Sequence, residues 1–137
     1  VSKEFLMRAT RLFMIGTAAI ALFTLSGCGK KPEDNAMPRE AFVSAGVTMK
    51  LDPPAAPNCK PDTLYRATLT WTVEGKDSPK TEVRIDRPDG AVFARSNDRN
   101  SRAETANWVK PGTWFLLFDR KSGDLIGSLR AGPVPCP

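Results

Sequence analysis

Tyr65-Arg66-Ala67-Thr68-Leu69-Thr70-Trp71-Thr72-Val73-Glu74 is the most regular stretch of this chain. Every second residue is apolar or aromatic, and those between are Thr, Arg or Glu. A pleated strand sends successive side chains to opposite faces, so this alternation predicts a half-buried strand of an antiparallel sheet. Tyr65, Ala67, Leu69, Trp71 and Val73 would form its core side.

Working outward, the same period recurs on both sides. Upstream, Val47, Met49 and Leu51 alternate with Thr48 and Lys50, before a turn rich in proline (Pro53, Pro54, Pro57, Pro61). Downstream, Gly75 to Pro79 turns the chain into Thr81, Val83 and Ile85, with Glu82, Arg84 and Asp86 on the opposite side. Pro88-Asp89-Gly90 reads as a turn, because proline presets φ and Asp-Gly accepts positive φ. Val92 and Phe93 bring the chain back. Ser96 to Ser101 reads as a polar loop, followed by a short strand around Ala103, Thr105 and Asn107 that ends at Trp108-Val109. Thr113-Trp114-Phe115-Leu116-Leu117-Phe118 is almost continuously apolar and suits a central strand. Ser122-Gly123-Asp124 makes a hairpin into Leu125, Ile126 and Leu129. About seven short strands at this spacing predict an all-β, antiparallel β-sandwich over residues 45–137, and no helical stripe follows Cys28.

The first 27 residues obey a different rule. Lys3, Arg8 and Arg11 precede an apolar run from Leu12 to Leu25 that is short for a permanent span of the bilayer. This is the layout of a signal peptide over residues 1–27. The run closes on Leu25-Ser26-Gly27-Cys28, which resembles the lipobox of bacterial lipoproteins. The resemblance implies cleavage between Gly27 and Cys28, a diacylglycerol on the Cys28 thiol and often a further acyl chain, such as palmitate, on its amine. One chain anchors marginally, whereas two or three anchor durably. Gly29 follows the cysteine, so the resemblance implies a lipid-anchored protein of the outer membrane facing the periplasm. Residues 28–44 are expected to be the lipidated cysteine and a flexible tether, reaching up to roughly 50 Å when extended.

Residues 45–132 also resemble a fibronectin type III or immunoglobulin-like domain. The resemblance rests on Trp71 in an early strand and on Val109-Lys110-Pro111-Gly112-Thr113-Trp114-Phe115 before a late central strand. Phe115 occupies a position where many such domains carry a tyrosine that bonds back to the backbone. No activity follows from this resemblance.

Composition excludes several chemistries. The chain has 20 basic and 15 acidic residues, a formal charge of +5. Lys3, Arg8 and Arg11 against Glu4 take two of these charges away with the leader. The remainder is interleaved with acids, unlike a nucleic-acid-binding stripe, so no nucleic-acid partner is expected. The absence of histidine removes Ser-His-Asp and Cys-His catalysis and histidine metal ligation. No phosphate loop or dinucleotide fingerprint is present, and Asp86 and Asp89 read as turn carboxylates. The chain is expected to have no catalytic site, metal or cofactor.

Of three cysteines, Cys28 takes the lipid, which leaves Cys59 and Cys136 as an even pair in an oxidising compartment. A Cys59–Cys136 disulfide is therefore expected. Trp71 belongs to the core, while Trp108 and Trp114 are candidate binding residues. The expected role is a structural or protein-binding module of the cell envelope, its partner an envelope protein or cell-wall polymer. The alternative is a carbohydrate-binding or carbohydrate-active accessory domain using exposed tryptophans.

Overall fold

The computed structural model describes residues 29–133, and these build a sandwich of two antiparallel sheets. Its strands are β1 (Phe42–Val43), β2 (Val47–Asp52), β3 (Thr68–Val73), β4 (Thr81–Ile85), β5 (Val92–Ser96), β6 (Asn100–Glu104), β7 (Trp114–Asp119) and β8 (Leu125–Arg130). The larger sheet has the order β1-β8-β7-β4-β5, and the smaller β2-β3-β6. The expected signal peptide (residues 1–27), Cys28 and Cys136 lie outside the described residues.

The alternation that opened the reading holds along its length. Tyr65, Ala67, Leu69, Trp71 and Val73 are all buried. They meet Val83, Phe115 and Leu117 of the other sheet in one core cluster. The Trp71 indole has its polar edge satisfied there, since Nε1 donates to Thr81 Oγ1 at 3.0 Å. β7 is the middle strand of the larger sheet, as its apolar run predicts.

Three expectations need correction. First, β5 extends through Ser96 and β6 begins at Asn100, so the polar loop shrinks to residues 97–99. Ser96 and Ser101 bond through their hydroxyls at 2.6 Å, and a serine pair gives no apolar period to read. Second, the left-handed backbone in the β4–β5 turn belongs to Asp86, with φ 65°. Gly90 is needed for another reason: a Cβ there would lie 2.1 Å from the Ile85 carbonyl oxygen.

Third, residues 30–44 are not a free tether but a strap laid on the outer face of the larger sheet. A single 3-10 turn (Pro32–Asp34) is closed by Asp34, which accepts the Lys31 amide at 3.1 Å. Asn35 then clamps the β7–β8 hairpin: Nδ2 donates to the Gly123 carbonyl at 2.7 Å and Oδ1 accepts the Leu125 amide at 3.1 Å. Glu33 reaches Arg84 at 3.6 Å, and the Phe42 amide donates to Ser128 Oγ at 3.2 Å. Arg84 and Ser128 are the register partners of Leu116 on its two sides. The strap is thus tied across Leu116, which is fully buried yet stands outside the core cluster. It ends as β1, an eighth strand beyond the seven expected.

Candidate functional site: the aromatic end of the sandwich

Antiparallel pairing gives the sandwich two ends. One gathers the β7–β8 hairpin, the β3–β4 connection and residues 97–99, because Thr81 pairs with both Asp119 and Ser96. The other gathers the β4–β5 turn, the β6–β7 connection and the chain after β8. Trp108 and Trp114 are both at this second end.

Trp108 lies in the β6–β7 connection, where its amide bonds to the Ala106 carbonyl at 2.9 Å. Its indole packs edge-on to Phe93, with centroids 5.6 Å apart, and tilted against Phe115 at 6.1 Å. Phe93 in turn meets Phe115 edge-on at 6.0 Å. Trp108 remains only half-buried. On its open side is a depression of about 360 Å³ lined by Ile85, Ala91, Val92, Phe93 and Trp108. Every lining residue is apolar, and Val92 is among the exposed large hydrophobics. Such a surface can seat an apolar side chain, but it offers few groups to orient a polar ligand.

Trp114 has a different setting. It precedes Phe115 on β7 and so points to the opposite face. The Arg130 guanidinium covers its ring at 5.5 Å from the centroid. Its amide donates to Asp86 Oδ1 at 3.0 Å, and its carbonyl accepts the Asp86 amide at 2.9 Å. Trp108 and Trp114 therefore do not form one platform. Nor do Asp86 and Asp89 form an acidic pair for catalysis: Asp86 holds β7, and Asp89 pairs with Arg87 at 3.5 Å. Among the described residues no three Cys, Asp or Glu side chains gather as a metal site.

Two buried carboxylates escaped the sequence reading. Glu82 is 2% exposed, on the strap side of β4. It accepts hydrogen bonds from Arg84 Nε at 3.1 Å and Arg95 Nε at 2.8 Å. Burial alone would push its carboxyl up, but the two arginines outweigh this and hold it below its ordinary value. Asp119 follows the same logic. Burial pushes upward, and the Lys76 ammonium with the Lys121 amide (2.8 Å) brings the carboxyl below its ordinary value. Both are structural ties, because each carboxylate oxygen accepts a hydrogen bond from a protein donor.

Cys59 is half-buried in the loop after β2 and is not a free thiol. Four residues earlier, Ala55 bridges Gly132 in parallel, and the Gly132 amide donates to the Pro54 carbonyl at 3.0 Å. Comparison of the chain with protein-family models, curated proteins and solved structures finds no match.

Proposed function

We propose that this chain is a lipid-anchored lipoprotein of the bacterial cell envelope whose sandwich is a protein-binding module, with the Trp108 depression as the docking surface. The observation that carries the binding role is the predominantly apolar lining of that depression beside a half-buried indole. Aromatic anchors in apolar recesses dominate the energetics of protein interfaces. Sugar sites also need convergent hydrogen-bonding groups. The lining offers few, all from apolar residue types, and the second indole is on the other face under Arg130, which favours a protein partner over a carbohydrate.

The anchor is Cys28, by the resemblance of Leu25-Ser26-Gly27-Cys28 to a lipobox, with Gly29 favouring the outer membrane. The fibronectin-like reading is supported by a chain that, from β2 onward, crosses between the sheets after β3, β5 and β6. We also assign the Cys59–Cys136 disulfide. Ala55 and Gly132 are in parallel register, and each cysteine follows its bridge residue by four positions.

A photo-crosslinking residue at Val92 tests the binding role, with one at Lys50 on the far sheet as control. A discrete protein adduct at position 92 that is lost on Trp108→Ala supports it. Equal labelling at both positions, or cell-wall polymer as the only adduct, overturns it. Labelling with an alkyne fatty acid tests the anchor: wild type is tagged and Cys28→Ala is not.

A further inference from the structure

Chain geometry near the anchor fixes which surface meets the membrane. Two peptide units, about 7 Å at full stretch, separate Cys28 from Lys30. Lys30 is already on the folded domain, its Nζ 3.4 Å from Asp124 Oδ1. Its carbonyl oxygen packs so closely on Gly123 that a Cβ there would lie 1.6 Å away. Gly123 has φ 76°, so the hairpin turn and the strap both require glycine at this position. Asn35 clamps the same hairpin from above. The chain therefore has almost no slack between the acylated residue and the β7–β8 hairpin.

Resting on the lipidation of Cys28, we propose that the hairpin end of the sandwich lies directly on the phospholipid headgroups, held there by the docked strap. The surface suits that position. Lys31, Lys80, Arg99 and Lys121 are exposed around it and form no ion pair among the described residues. Glu74, Asp77 and Asp98 are exposed there too, so closeness comes from the short covalent link and only slightly from charge. The five residues of β4 then carry the opposite end about 17 Å further from the bilayer. That end bears the Trp108 depression, which thus faces away from the anchoring membrane.

The test uses the full-length lipoprotein purified from membranes and returned to vesicles of phosphatidylethanolamine and phosphatidylglycerol containing a headgroup-quencher lipid. One preparation carries a fluorophore on Lys121→Cys, another on Asp89→Cys at the far end. Quenching at 121 is expected to exceed that at 89 at least threefold and to persist in high salt. Combining Lys30→Ala, Glu33→Ala and Asn35→Ala unties the strap and should reduce quenching at 121 to about the level at 89, with unchanged far-ultraviolet circular dichroism confirming the sandwich. Equal quenching at both positions in a protein whose Cys28 peptide carries the acyl mass overturns the proposed orientation. Unchanged quenching after the strap is untied overturns the strap's role in it. A Cys28 peptide without acyl mass instead removes the lipidation reading, and the membrane contact with it.

Discussion

Replacing Glu82 tests whether the strap-side face of the larger sheet is held by a buried charge cluster. The carboxylate is 2% exposed and takes one hydrogen bond from each of two arginines. Hydrogen bonds to charged groups contribute about 1.5–3 kcal/mol each when buried. The Arg84 side chain is 16% exposed and its bond belongs in that range. The Arg95 side chain is 59% exposed, and its share falls below about 1 kcal/mol through solvent screening. Glu82→Ala also takes from Arg84 its buried counter-charge, leaving it the Pro88 carbonyl at 3.0 Å and the half-exposed Glu33 at 3.6 Å. The expected loss is about 3 kcal/mol for Glu82→Ala and about 2 kcal/mol for Glu82→Gln, against less than about 1 kcal/mol for Arg95→Ala. Urea unfolding followed by tryptophan fluorescence measures these directly. With a slope near 1 kcal/mol per molar for a domain of this size, Glu82→Ala should lower the midpoint by roughly 3 M. The pH dependence has a fixed sign. Because the folded Glu82 carboxyl is held below its ordinary value, its contribution is complete above that value and is lost as pH falls through the lower, folded one. Glu82→Gln should therefore show a shallower decline of stability than wild type from about pH 5 downward. Equal midpoint shifts for Glu82→Ala and Arg95→Ala, or an unchanged acid profile in Glu82→Gln, would refute the reasoning.

Further tests follow from single groups. Tyr65 has a buried hydroxyl without a hydrogen-bond partner among the described residues, so Tyr65→Phe should leave stability unchanged or raise it by about 1 kcal/mol in the same assay. A loss above that would reveal a partner for the hydroxyl. Asn35→Ala removes both clamps on the hairpin and should cost about 1–3 kcal/mol, with faster amide exchange at Leu125 as the local signature. Cys136→Ser should lower the melting temperature markedly, since a bond closing so long a loop stabilises by up to roughly 4–5 kcal/mol. Two free thiols at Cys59 and Cys136 in the purified protein would exclude that bond.

The alternation of Tyr65–Val73 made its strand legible, because one of its faces is buried and the other is not. The Trp71 side chain obeys that rule to the atom, with even its indole N–H satisfied inside the core. Glu82 was not legible for the opposite reason. A charged residue between Thr81 and Val83 reads as solvent-facing, and only Arg95, brought alongside by the β4–β5 pairing, and Arg84 two positions on the same strand allow it to be buried. Trp108 and Trp114 were legible as candidates one at a time. Their separation onto opposite faces depends on Trp108 docking against Phe115, a contact that no periodicity encodes. Residues 30–44 misled because their composition, rich in Pro, Lys, Glu and Asp, is that of a linker. Their ties are side-chain to backbone bonds at Asn35 and Ser128, ion pairs at Lys30 and Glu33, and the short β1–β8 pairing, which leave no hydrophobic pattern.

One signal for the strap was nevertheless present in β7. A two-layer sandwich buries one face of each sheet, so a strand within it needs apolar residues at alternate positions only. Phe115, Leu116, Leu117 and Phe118 fill both sets, and all four are fully buried. Phe115 and Leu117 belong to the core between the sheets, whereas Leu116 and Phe118 do not. The second face must therefore be covered by something other than the opposing sheet. Among the described residues the strap is the segment tied across that face, anchored on Arg84 and Ser128 beside Leu116 and on Leu125, the register partner of Phe118. The chain that covers that face is docked from Lys30, whose contacts are with Asp124 and Gly123 of the hairpin, and this leaves Gly29 alone between Cys28 and the docked strap. The apolar demand of the central strand and the proposed closeness of the domain to the membrane thus rest on the same docked strap.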